Sequence, residues 1–109
     1  MVTVLESLKG INAYPIPFRT MAETAVRRGI DLYQEADDDI IASRGYRLSR
    51  ADLLLWLSFA PAITQGGQSY SFTDEQRQQM RNAAQQIYDE LEEEDFAPKS
   101  VYGYKGNRL

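Results

Sequence analysis

The sequence predicts an all-α domain of three or four helices packed around one long central helix, followed by an extended C-terminal arm. Three observations predict this. The stretch 50–62, RADLLLWLSFAPA, is apolar all round a helix at Leu53, Leu54, Leu55, Trp56 and Leu57 and lacks the period-two alternation of a half-exposed strand. Farther on, Met80, Ala84, Ile87 and Leu91 recur at helical spacing, the signature of an amphipathic helix. The last residues, FAPKSVYGYKGNRL, then change character, with cations, tyrosines and glycines and no acid. The helical domain is therefore expected over 1–95 and the arm over 96–109.

The first element is a short helix over 3–9. Thr3 followed by Glu6 forms a capping box, Val4, Leu5 and Leu8 supply the apolar side, and Gly10 is the stop. Pro15 and Pro17 hold the next residues extended, because each restricts its predecessor. A second helix opens at Pro17 or Phe18 and runs to about Arg28, with Gly29 as its C-terminal signal. Met21, Ala22, Ala25 and Val26 are its expected inward side, and Arg27 and Arg28 suit the negative end of the helix dipole. Ile30 and Leu32 lie in a connector and are expected to tuck under the core.

The central helix is expected over about 38–59. Ile41, Leu48 and Leu55 keep one register along it, and Asp37, Asp38 and Asp39 stand at its N-terminus, where acids are stabilising. Gly45 is its weak point, at a cost of about 1 kcal/mol relative to alanine. Arg44, Arg47 and Arg50 are placed on its flank. After Pro61, a loop containing Gly66 and Gly67 is pinned at its far end by Tyr70 and Phe72. Thr73 with Gln76 then starts the last helix, expected to reach about Glu93 with Arg77 and Arg81 outside. Its acidic end opposes the dipole and is expected to fray.

Totals narrow the function. A chain of 109 residues with 43% hydrophobic and 26% charged residues has the size and composition of one globular domain. A net charge of −4 argues against nucleic acid as the main partner, and sequence-specific readout is not expected. Cysteine is absent, which removes disulfide chemistry and suits a reducing cytoplasm. Histidine is absent too, and with it the commonest general base and metal ligand. No apolar run reaches the roughly 20 residues of a membrane span, and the N-terminus does not read as a signal peptide.

The motifs point away from chemistry. A helix-turn-helix around Ala25 and Gly29 would put Glu35 and the aspartates on the reading helix, where they repel phosphate. The acid run lacks the spaced ligands of a calcium loop, and Gly66-Gly67 lacks the lysine of a phosphate loop. The acids stand at helix ends, where water reaches them, rather than in a cleft that would raise a catalytic pKa. No catalytic residue, cofactor or metal is expected. The arm points to binding, since tyrosines are favoured at interfaces. Its candidate contact residues are Val101, Tyr102, Tyr104 and Lys105, with Glu92, Glu93 and Glu94 as a complementary acidic patch on an adjacent copy.

At GGQSYSFTDEQRQQMRNAAQQIYDEL, preceded by RADLLLWLSFAPA, the sequence resembles the small helical head–tail connector (adaptor) proteins of tailed phages. More narrowly it is similar to short prophage proteins of the Bacteroides type. The resemblance spans about residues 20–91. It implies a non-enzymatic structural role, as a homo-oligomeric ring beneath the portal that seats the tail. The implied partners are portal and tail components, with no membrane. The implied locations are the bacterial host cytoplasm and the virion. The channel-facing loop of that family has no clear counterpart, and Gln65, Gly66, Gly67, Gln68 and Ser69 are its candidate. The alternative is a monomeric adaptor that binds a foreign protein through the arm.

Overall fold

The structure is a computed structural model that describes residues 2–91. The chain is mostly helical: α1 (Val4–Lys9), α2 (Phe18–Arg28), α3 (Asp38–Ile41), α4 (Arg44–Ser58) and α5 (Asp74–Glu90), with a hairpin of β1 (Ile63–Gln65) and β2 (Gln68–Tyr70) between α4 and α5. The hairpin departs from the all-α expectation. Gly66 (φ 60°) and Gly67 (φ 79°) both take positive φ and close a two-residue turn between Gln65 and Gln68. Positive φ at both central positions gives the turn a twist that matches the right-handed twist of the flanking strands, which is why a Gly-Gly pair makes a hairpin there.

The central helix is in two pieces. α3 ends at Ile41, and Ser43 caps α4 by accepting from the Tyr46 amide at 3.3 Å while its hydroxyl donates to the Ile40 carbonyl at 2.6 Å. A serine that bonds locally on both sides offers the backbone an alternative to a continuing helix. The expected register is lost with the break, and Ile41 is left 43% exposed. Gly45 is not a weak point of the helix interior but a contact. A Cβ there would lie 2.7 Å from Ile30 Cγ2 and 3.0 Å from the Arg28 carbonyl, so its bare backbone lets α4 approach the end of α2.

α4 organises the rest. Tyr46 and Leu53 pack with Val4, Leu8, Met21, Ala25 and Leu32. Leu48 and Ala51 pack with Ala84 and Tyr88 of α5. Leu57 packs with Tyr14 and Ala60, bordered by Trp56, Tyr70 and Phe72. Leu53 and Leu57 are fully buried, but Leu54, Leu55 and Trp56 are only half-buried, so the run is not enclosed on every side. On α2, Met21 and Ala25 face inward as expected, whereas Val26 is 82% exposed and Thr24 is buried instead. The Thr24 hydroxyl donates to the Thr20 carbonyl at 2.9 Å, which makes its burial tolerable.

The N-terminal capping box forms as expected, and Gly29 ends α2 in the left-handed conformation. Backbone bonds from Val4 to Gln34, Leu5 to Leu32 and Ala36 to Val2 tie the connector back to the chain start. α5 stops at Glu90, short of the expected 93. It runs antiparallel to α4, so its last carbonyls meet the start of α4, where Arg44 donates to the Leu91 carbonyl at 2.5 Å and Arg47 pairs with Glu90. Cations at that end offset the dipole conflict. At the opposite end Arg77, expected outside, turns inward and donates to the carbonyls of Ser58 (3.1 Å) and Ala60 (2.7 Å), capping α4.

Candidate functional site

α2, α4 and α5 meet at Asp52. Both of its oxygens accept from Arg28, Oδ2 from Nε at 2.7 Å and Oδ1 from Nη2 at 2.9 Å. Arg27 Nη2 donates to Oδ2 at 3.1 Å, and the Tyr88 hydroxyl donates to Oδ1 at 2.5 Å. The Asp52 side chain is 8% exposed and that of Arg28 16%. A carboxylate accepts about four hydrogen bonds, so these donors fill it. Burial pushes the Asp52 carboxyl up, but the bonds from Arg28, Tyr88 and Arg27 outweigh burial and hold it below its ordinary value. Burial, then the bond to Asp52, raises the Tyr88 phenol. An ionised acid whose lone pairs are taken by fixed donors is a clamp and not a proton acceptor.

This clamp was not legible in the sequence. Arg27 and Arg28 have a local explanation in the dipole of α2, and nothing in their spacing marks Asp52 as their partner. Asp52, the one acid within the apolar run of α4, was the available signal. A charge there requires a partner.

Beside the clamp lies a groove of about 390 Å3 lined by Asp52, Leu55, Trp56, Phe59, Ala60 and Pro61. Its walls are almost wholly apolar, and Phe59 stands 69% exposed at its edge with the Arg81 guanidinium 5.4 Å above its ring. The groove floor is held from behind by Tyr14, whose ring meets Trp56 edge-on at 5.9 Å and stacks on Phe72 at 5.5 Å. The Tyr14 hydroxyl also donates to the Pro61 carbonyl at 2.8 Å. These contacts fix Trp56 and Pro61, two of the residues that line the groove.

The sequence-predicted loop residues Gln65, Gly66, Gly67, Gln68 and Ser69 come together as the exposed tip of the hairpin. Glu92, Glu93, Glu94, Val101, Tyr102, Tyr104 and Lys105, with the expected arm 96–109, lie outside the described residues. Among the described residues no helix is long and apolar enough to cross a membrane. Comparison with family models, curated proteins and solved structures returns no match.

Proposed function

We propose that this chain is a non-enzymatic assembly protein that self-associates, with the Tyr-rich arm of one copy seated on a neighbouring copy. The observation that carries the reading is the groove at Leu55, Trp56 and Phe59: apolar, backed by Tyr14, and open to water. An exposed Phe59 beside the half-buried Trp56 in an apolar groove marks an interaction surface. Val101, Tyr102 and Tyr104 offer the half-apolar side chains that such a surface takes up. The eighteen residues after Leu91 reach up to about 60 Å when extended, enough to leave one domain and lie on the next. Because the arm and the groove are different surfaces, the contact is head-to-tail, and repetition gives a ring or a filament.

Within that class, the resemblance to head–tail connectors supports a virion role, with portal and tail components as neighbours. The alternative is a monomeric adaptor whose arm takes a foreign protein.

Size-exclusion with light scattering tests the assembly reading on three proteins: the full chain, a version ending at Asp95, and Phe59→Glu. The full chain is expected to grow in mass with concentration, and both variants are expected to stay monomeric. A full chain that remains monomeric throughout overturns self-assembly and favours the adaptor. For the virion role, portal and tail genes beside the coding sequence are the expected finding, and their absence removes it.

A further inference from the structure

The geometry points to a second groove, at the opposite end of α4, as the docking site for this chain's own acidic segment Glu92–Phe96. The groove has a volume of about 480 Å3 and is lined by Ser7, Ile41, Tyr46, Arg47, Arg50 and Ile87. Its floor is apolar, with Ile41 43% exposed and Ile87 half-buried, and one wall is cationic. Arg47 already holds Glu90, the last residue of α5. Arg50, one helical turn along, is exposed and has no ion-pair partner among the described residues.

Three features identify the occupant. First, Arg44 holds the Leu91 carbonyl one turn from Arg47, so the residues that follow begin beside this groove. Second, the next residues are Glu92, Glu93, Glu94 and Asp95, the charge complement of Arg47 and Arg50. Third, the lengths agree. From Arg44 to Arg50 is six residues of helix, about 9 Å, and Glu92–Asp95 spans about 13 Å when extended. That reach brings an acid to Arg50. A tether this short gives the segment an effective concentration in the millimolar range, above that of any second copy at working dilution. The acids are then engaged within their own chain, and the arm departs from a fixed point beside α4. This inference does not depend on the assembly reading, which concerns the groove at Phe59.

Amide hydrogen exchange of the full chain at micromolar concentration tests it. Residues 92–96 are expected to exchange roughly tenfold more slowly than residues 100–109. The difference should shrink as salt rises from about 0.05 to about 0.5 M, because exposed ion pairs are screened. Arg50→Glu, a surface substitution that leaves the helical circular dichroism unchanged, should abolish the protection, and adding Glu92→Lys and Glu94→Lys to it should restore it. Fast exchange at 92–96 in the parent chain overturns the proposal, as does protection that survives Arg50→Glu. Protection that rises with protein concentration also overturns it, assigning the groove to a second copy.

Discussion

The Tyr88 hydroxyl, on α5, donates to Asp52 Oδ1, on α4, at 2.5 Å, and through that one carboxylate α5 is joined to Arg27 and Arg28 of α2. Three helices are thus locked at a common point. Hydrophobic packing is non-directional, whereas this bond set admits one arrangement.

Breaking the clamp should be costly. Asp52→Ala removes the acceptor of four hydrogen bonds from Arg27, Arg28 and Tyr88, and a loss of about 3 kcal/mol is expected. Tyr88→Phe removes one hydrogen bond from a charged acceptor and should cost about 1.5–3 kcal/mol. Urea unfolding followed by circular dichroism measures both. A loss for Asp52→Ala within that for an ordinary surface residue would contradict the clamp.

The same cluster fixes a pH dependence at both ends. The Asp52 carboxyl titrates below its ordinary value in the fold, so the unfolded chain takes up protons first as pH falls. Its contribution is complete above the unfolded value of about 4 and is lost as pH drops through the folded value. The Tyr88 phenol is raised by burial and by Asp52, so the unfolded chain loses its proton first as pH rises. That contribution is complete below about 10 and is lost above it. Unfolding midpoints against pH should decline at both extremes. Tyr88→Phe should flatten the alkaline decline and Asp52→Asn the acidic one.

Gly45→Ala should destabilise despite a helix-propensity gain of about 1 kcal/mol. The added methyl would meet Ile30 Cγ2 at 2.7 Å and the Arg28 carbonyl at 3.0 Å. The side chain can be trimmed but the carbonyl cannot, so Ile30→Ala should relieve only part of the loss. A double-mutant cycle reads the coupling, and additive losses would show that the two do not touch.

Ser49→Ala should stabilise. The Ser49 hydroxyl is fully buried and has no hydrogen-bond partner among the described residues. Removing an unsatisfied polar atom and gaining helix propensity should add about 1 kcal/mol or more. The melting temperature of the variant measures this, and a decrease would mean that the hydroxyl has a partner.

At the hairpin, Gly67→Val should cost about 1–2 kcal/mol, because a β-branched residue is strained at φ 79°. Gly66→Asn should be nearly neutral, since Asn accepts positive φ at the first position of such a turn. Chemical shifts of Ile63 and Tyr70, which pair across the hairpin, report on both.

What the sequence determined by itself is what neighbours along the chain decide. The Thr3–Glu6 and Thr73–Gln76 capping boxes, the left-handed Gly29 and the helical reading of Leu53–Leu57 all follow from residues within one turn of each other. The Gly-Gly turn was visible as a turn, but three-residue strands are too short to show a period. Tertiary structure decided the remainder. Gly45 passes the backbone of Arg28, Arg77 turns inward to cap α4, and Asp52 draws donors from α2 and α5. Each joins residues far apart in the chain, and the groove at Phe59 arises in the same way, because Tyr14 props its floor from behind. A local pattern reports which face of a helix is apolar, but only the packed neighbours determine which part of that face stays uncovered.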